Sequence, residues 1–209
     1  MSVLSIMAQG PVIPVVIIED SNDAIPLADA LAAGGIGTIE ITLRSEAALD
    51  AIATLAKARP DMTIGAGTVL TTEHMKAVKE AGADFVVSPG AYPELIKSAQ
   101  DCGMAFLPGA ATASEMMALM AEGIFAMKFF PATAAGGIKY LQALASPLAD
   151  AMFCPTGGIT AETAPDWLSL PNVICVGGSW VAPISALAKG DFDAITRNAK
   201  ACSQIKEKS

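Results

Sequence analysis

Residues 126–131 read Ala126-Met127-Lys128-Phe129-Phe130-Pro131, an apolar run with a lysine in its middle and a proline at its exit. A run this short, aromatic and aliphatic, predicts a buried strand. The same pattern recurs in both directions along the chain. Apolar runs stand at 11–18, 37–43, 62–69, 85–89, 105–109, 125–131, 152–157 and 172–178, each followed by a stretch with helical spacing. Their near-continuous Val, Ile, Phe and Ala suits parallel strands covered on both faces. Eight strand–helix units within 209 residues predict a (β/α)8 TIM barrel near the lower size limit of that fold, roughly 200 residues. A single domain spanning residues 1–209 is expected, with an open doubly wound sheet as the alternative. Pro14 falls inside the first run. A proline removes a ladder donor, so a bulge or a later strand start is expected there.

The helical stretches carry start and stop signals. Thr112-Ala113-Ser114-Glu115 fits a capping box. Ser45 and Thr160 stand in N-cap-like positions, and Gly34-Gly35, Gly82, Gly103 and Gly123 in C-cap-like ones. Ser88-Pro89-Gly90, Leu107-Pro108-Gly109, Phe130-Pro131 and Cys154-Pro155-Thr156 mark the ends by which strands leave. In a barrel of this kind that end carries the active site.

Composition narrows the classes. The chain is 53% hydrophobic and 16% charged, which excludes a disordered protein. Mean hydropathy is +0.49, yet the run from Val12 to Ile18 is far shorter than the roughly 20 residues a spanning helix needs. No basic residue precedes the apolar positions of residues 1–9, so no secretory signal is read and a soluble, cytoplasmic protein is expected. Thirteen basic against 21 acidic residues give a net charge of −8 without a Lys/Arg cluster, which argues against nucleic acid as a partner. Cys102, Cys154, Cys175 and Cys202 lack a C-x-x-C pair, so reduced, mostly buried thiols are expected and no metal site. The low charged fraction, set against a typical value of about 25%, points to surface buried between copies.

Only two ionisable groups fall inside the strand runs: Glu40, in Thr38-Ile39-Glu40-Ile41-Thr42-Leu43-Arg44, and Lys128. Strand side chains alternate faces. Ile39, Ile41, Met127 and Phe129 are therefore expected to face the helices, and Glu40, Thr42, Arg44, Lys128 and Phe130 the barrel interior. An unpaired buried charge costs several kcal/mol, so the two must serve each other or a ligand. A lysine removed from water is biased toward free amine, the form that condenses with a carbonyl to give a Schiff base. A carboxylate across the same cavity can move the protons. The alternatives are a structural ion pair, or a lysine that reaches out of the mouth. Arg44 at the rim has the planar fork that suits a carboxylate, although alone it also fits a surface arginine. Thr68 ends the third run behind Gly65-Ala66-Gly67, where glycines let a ligand approach the backbone.

Thr156-Gly157-Gly158-Ile159-Thr160 and Gly177-Gly178-Ser179-Trp180 end the seventh and eighth runs. Barrels often bind phosphate on these two loops at the N-terminus of a short helix, the alternative being two tight turns without a ligand. An acidic protein can still bind an anion through local N–H groups. His74, the one histidine, reads as a solvent-facing helix residue; a lone imidazole disfavours a zinc-dependent aldolase or a His-based triad. Met116, Met117 and Met120 read as core, and residues 200–209 as a fraying helix end.

Taken together, Ile39-Glu40-Ile41-Thr42-Leu43-Arg44, Gly65-Ala66-Gly67-Thr68-Val69, Val87-Ser88-Pro89-Gly90, Lys128-Phe129-Phe130-Pro131-Ala132, Cys154-Pro155-Thr156-Gly157-Gly158-Ile159 and Gly177-Gly178-Ser179-Trp180 resemble the 2-keto-3-deoxy-6-phosphogluconate (KDPG) aldolase family. That family includes the 4-hydroxy-2-oxoglutarate (KHG) aldolases. The resemblance runs from about residue 11 to residue 195 in the family's order. It implies a metal-free, cofactor-free class I aldolase, cytosolic and homotrimeric, acting on a phosphorylated 2-keto acid and releasing pyruvate in the Entner–Doudoroff route. It further implies that Lys128 is the Schiff-base lysine and Glu40 the general acid/base. Arg44 and Thr68 would hold the pyruvate carboxylate, and Pro89 and Phe130 would line the pocket. Thr156, Gly157, Gly158, Gly178 and Ser179 would form the substrate-tail and phosphate region. One departure stands out: members often carry Pro-Ala-Glu where this chain reads Pro131-Ala132-Thr133. The other readings are cleavage of KHG to pyruvate and glyoxylate, a dual specificity, or a non-catalytic barrel that binds phosphorylated ligands.

Overall fold

The computed structural model describes residues 1–205. Its strands are β1 (Val12–Val16), β2 (Thr38–Thr42), β3 (Thr63–Gly67), β4 (Phe85–Val87), β5 (Ala105–Leu107), β6 (Gly109–Ala110), β7 (Ala126–Phe129), β8 (Met152–Pro155) and β9 (Val176–Gly178). Each lies within one of the eight expected runs, except that β6 reaches one residue past the fifth. The fifth run yields two pieces, because Pro108 has no N–H to continue the ladder and Gly109 passes so close to β4's exit that a Cβ there would stand 2.8 Å from the Ser88 carbonyl oxygen.

Every ladder is parallel: β5-β4-β3-β2-β1-β9 in one stretch and β6-β7-β8 in the other. The two stretches join at both ends. The Lys128 N–H donates to the Pro108 carbonyl at 2.8 Å, and the bridges Thr156↔Gly177 and Phe153↔Val173 tie β8 to the segment of β9. The ring therefore closes as the expected TIM-type barrel, and the open-sheet alternative falls. β1 runs straight through Pro14 without the expected bulge or late start. Its register with β2 begins one residue later, at Val15↔Glu40, so the missing donor falls at the start of that ladder.

Period-two alternation sorts the side chains into two layers. Ile39, Ile41, Ala66, Val86, Met127, Phe129 and Phe153 pack outward against the helices. Ile13, Phe85, Val87, Leu107, Ala126, Cys154 and Cys175 fill the barrel interior, and Ile6 and Met7 of α1 (Val3–Met7) pack with them. Each fully buried Leu, Ile or Phe contributes about 1.5–3 kcal/mol. Gly65 makes room for the Phe85 ring, whose Cε2 would otherwise lie 2.6 Å from a Cβ and its Cζ closer still. The apolar fill occupies one end of the cylinder, which leaves the strands' C-terminal end for polar groups.

The remaining helices are α2 (Ala24–Ala33), α3 (Ala48–Ala58), α4 (Thr72–Glu80), α5 (Pro93–Cys102), α6 (Ala113–Ala121), α7 (Gly137–Leu144), α8 (Ala164–Leu168), α9 (Ile184–Leu187) and α10 (Phe192–Ser203). The capping box at α6 is present: Thr112 Oγ1 accepts from the Glu115 N–H, and Glu115 Oε2 accepts from the Thr112 N–H at 2.9 Å. Two caps fall elsewhere. α3 starts after Ala47, and the Ser45 hydroxyl donates instead to the Ile18 carbonyl. α8 starts after Thr163, because Thr160 opens a preceding turn in which its N–H donates to Thr163 Oγ1. Met116 is buried, but Met117 is 60% exposed, so the helical spacing of the methionines overstated the core. His74 is half-buried and its Nδ1 accepts from the Leu70 N–H at 3.4 Å. α10 does not fray where the tail was expected to, since Ala199 and Cys202 are buried; residues 206–209 lie outside the described residues.

Candidate active site

Glu40 is the third residue of β2 and Lys128 the third of β7. Both point inward by the alternation that sends their neighbours to the helices. They are 3% and 6% exposed. Separated by 88 residues in sequence, they meet inside the barrel, with Lys128 Nζ donating to Glu40 Oε1 at 3.5 Å. Neither reaches out to solvent. Gly67 makes the meeting possible: a Cβ there would lie 2.8 Å from Glu40 Cγ and Cδ. The Phe130 ring lies beside the amine, its centroid 5.2 Å from Nζ.

The pair stands at the bottom of a cavity of about 320 Å³ that opens at the strands' C-terminal end. Val15, Glu40, Thr42, Lys128, Thr156, Ile159 and Gly177 are its buried residues, and Arg44, Pro89, Gly158 and Ser179 its exposed rim. Thr68, Phe130 and Gly157 lie half-buried between. Thr68 is the only non-glycine with positive φ among the described residues, at 60°. A β-branched residue in that region is strained by about 1–3 kcal/mol, and such strain clusters at functional sites. Here it delivers the end of β3 to the cavity wall.

Ten of the eleven expected site residues line this cavity: Lys128, Glu40, Arg44, Thr68, Pro89, Phe130, Thr156, Gly157, Gly158 and Ser179. Gly178 does not. It faces the other way, where a Cβ would fall 2.6 Å from Trp180 Cη2 and closer still to Cζ3. Gly177 takes its place on the wall, since alternation along β9 turns every second residue inward. Thr156 Oγ1 and Cγ2 fill the space a Gly177 side chain would need. Val15, Gly177 and Ile159 line the cavity but were not singled out in the sequence. For Val15 and Gly177 the signal was present, as each lies two residues beyond an interior position, Ile13 and Cys175.

The glycine-rich rim differs from expectation in one respect. The first residues of α8 and α9 are absent from the lining, because the turn over residues 160–163 holds α8 back. The loop's own backbone faces the cavity instead. Gly157 and Gly158 have φ of 104° and 76°, a conformation that suits glycine and turns backbone N–H groups toward a small anion. Thr133, where the family often has an acid, packs its side chain on Gly158 and donates its N–H to the Gly157 carbonyl at 3.1 Å. Among the described residues no group of three or more His, Cys, Asp or Glu side chains is arranged to hold a metal ion.

Two cations and one carboxylate thus face the same cavity, one formal positive charge in excess, which suits an anionic ligand. A buried amine next to a carboxylate can condense with a ketone.

Comparison with known proteins bears directly on this chemistry. Residues 3–198 match the aldolase family described as KDPG and KHG aldolase. The KHG/KDPG aldolase of Escherichia coli K12 is 47% identical over 196 residues, 94% of this chain and 92% of its own. A KDPG aldolase structure from Legionella pneumophila, with pyruvate captured at low pH as a covalent carbinolamine, superposes with a TM-score of 0.94 at 44% identity, covering 96% of this chain and 98% of that one. The KDPG aldolase of Zymomonas mobilis ZM4 with 3-phosphoglycerate gives a TM-score of 0.92 at 45% identity, covering 97% and 95%. A non-catalytic barrel is set aside on these grounds. With its motifs in order, its barrel matched and its charged pair buried at the floor of the open cavity, the chain belongs to the KDPG and KHG aldolase family and is an aldolase, a carbon–carbon lyase.

Proposed function

We propose that this enzyme cleaves 2-keto-3-deoxy-6-phosphogluconate to pyruvate and glyceraldehyde 3-phosphate by a Schiff-base mechanism on Lys128. The observation that carries the reading is the buried Lys128–Glu40 contact at 3.5 Å. Lys128 Nζ adds to the C2 ketone and forms a carbinolamine. Glu40 supplies the proton with which the hydroxyl leaves as water, giving an iminium. Glu40 then takes the C4 hydroxyl proton as the C3–C4 bond breaks, and the electron pair of that bond moves into the iminium. The aldehyde leaves, the resulting enamine is protonated at C3, and hydrolysis releases pyruvate and the free lysine. Arg44 and Thr68 hold the carboxylate at C1. Thr156 and Ser179, with the N–H groups of Gly157 and Gly158, hold the tail and its phosphate at the exposed rim. The captured pyruvate of the Legionella enzyme and the 3-phosphoglycerate of the Zymomonas enzyme support these two ends of the ligand.

A second reading, cleavage of 4-hydroxy-2-oxoglutarate to pyruvate and glyoxylate, is supported by the E. coli relative, whose name covers both activities. The open rim does not demand a phosphate. Comparing kcat/KM for the two substrates separates a KDPG enzyme from a dual-specificity one.

The enzyme acts in the cytoplasm as a one-domain protomer of a homotrimer. Four free cysteines, and the absence of any helix among the described residues long and apolar enough to cross a membrane, support that location. Exposed Leu4 and Phe125 line a shallow cavity of about 260 Å³ away from the mouth, and support burial between copies. Sedimentation equilibrium tests the subunit number. The decisive experiment for the chemistry is borohydride reduction in the presence of pyruvate. A single reduced adduct on Lys128, absent from Lys128→Met, is expected; an adduct elsewhere, or activity surviving in that variant, overturns the mechanism.

A further inference from the structure

Arg44 stands two residues beyond the end of β2, on the exposed rim, and makes no ion pair among the described residues. A free arginine side chain samples many rotamers, and ordering it on binding costs affinity. Here it is already tethered. Its Nε donates to Thr42 Oγ1 at 3.2 Å, and the Thr42 hydroxyl donates in turn to the Val16 carbonyl at 2.9 Å. Thr42 is 1% exposed. A hydroxyl has one proton to give and two lone pairs to offer. Spending the proton on Val16 orients a lone pair at the guanidinium.

We propose that Thr42 is a positioning residue for substrate binding, which presets Arg44 through the relay Arg44–Thr42–Val16. With Nε engaged, the two terminal nitrogens remain, so the fork meets a carboxylate end-on through Nη1 and Nη2. This rests on the keto-acid reading above, in which Arg44 receives the C1 carboxylate. The hydroxyl spans β1 and β2 at the point where both strands end, so the relay also ties the arginine's base to the barrel frame. A valine in place of Thr42 keeps the shape and removes both bonds. Serine keeps them.

The test is kinetic and uses the full chain. In Thr42→Val the KM for KDPG and the pyruvate concentration for half-maximal borohydride trapping should both rise about tenfold, with kcat within about threefold of the parent. Thr42→Ser should restore both constants. In the double variant Thr42→Val/Arg44→Lys, KM should be no higher than in Arg44→Lys alone, because the relay acts only through the guanidinium. Thr42→Ala, which leaves space for a water on the Val16 carbonyl, carries the same test if the valine variant does not fold. An unchanged KM in Thr42→Val or Thr42→Ala overturns the proposal, as does a further rise in the double variant. If the unmutated protein traps no pyruvate, the keto-acid reading fails first, and that outcome is distinct from a parent that traps normally beside an insensitive Thr42 variant.

Discussion

Gly67→Ala tests whether catalysis depends on where the Glu40 carboxylate lies. Gly67 ends β3 with no positive φ, so its backbone accepts alanine. The added methyl would lie 2.8 Å from Glu40 Cγ and Cδ and closer still to Oε1, where ordinary contact begins near 3.4 Å. The carboxylate must therefore retreat by about 0.6 Å or more. It cannot swing into water, because Glu40 is 3% exposed. Retreat lengthens a Lys128 contact already at the 3.5 Å edge of a hydrogen bond. Misplacing a catalytic group by 1 Å can cost about 100-fold in rate, so kcat should fall by about 10- to 100-fold. Overpacking costs about 1–3 kcal/mol, against a gain of about 0.4–1 kcal/mol from stiffening the unfolded chain. The melting temperature should drop by a few degrees. Pyruvate release coupled to lactate dehydrogenase reads the rate, and a thermal melt reads the fold. Gly37→Ala, where nothing lies within 4 Å of the new methyl, is the control with unchanged rate. A Gly67→Ala enzyme with kcat within twofold of the parent would show that the position of Glu40 is not what limits the chemistry.

Two further tests probe the frame around the site. The Ala111 and Thr112 N–H groups hold the Glu115 carboxyl below its ordinary value of 4.5. The unfolded chain then binds more protons across the interval below 4.5, so stability rises with pH there. Glu115→Gln should melt lower than the parent at pH 6, and the gap should close as pH falls through the folded carboxyl's value; a gap of equal size at pH 3 would refute this assignment. The hydrogen bond with Cys154, together with burial, pushes the Cys175 thiol well up. Iodoacetamide at pH 8 should therefore alkylate half-buried Cys102 first, and Cys154 and Cys175 only after denaturation; peptide mapping that finds Cys175 labelled in the native enzyme would contradict the packed interior.

Strand alternation is a local rule, so the facing of Glu40 and Lys128 was legible without coordinates. Both stand in runs whose odd neighbours are large and apolar, and only one phase puts a charge where water or a partner can meet it. The same rule points to Val15 and Gly177, whereas Gly178, which the family resemblance implies, stands one residue out of phase and faces the other way. The two displaced helix starts have a different cause. Ser45 and Thr160 have suitable side chains, but the Ile18 carbonyl claims the first and a preceding turn takes up the second. A cap signal records what a hydroxyl can do; its neighbours decide what it does. Met117 shows the same limit, since a three- or four-residue spacing defines a face without saying whether anything covers it.

The amino-acid sequence by itself determined the eight strand–helix units, the two interior charges and the glycine-rich strand ends, because each is a matter of period, residue type and turn chemistry within a few residues. Closure of the ring decided the rest. Only there do residues 88 apart come to 3.5 Å, does Gly67 become the space a carboxylate occupies, and does Thr42 become the anchor of Arg44. Such contacts depend on register between strands distant in sequence, and register is fixed when the whole apolar interior packs at once.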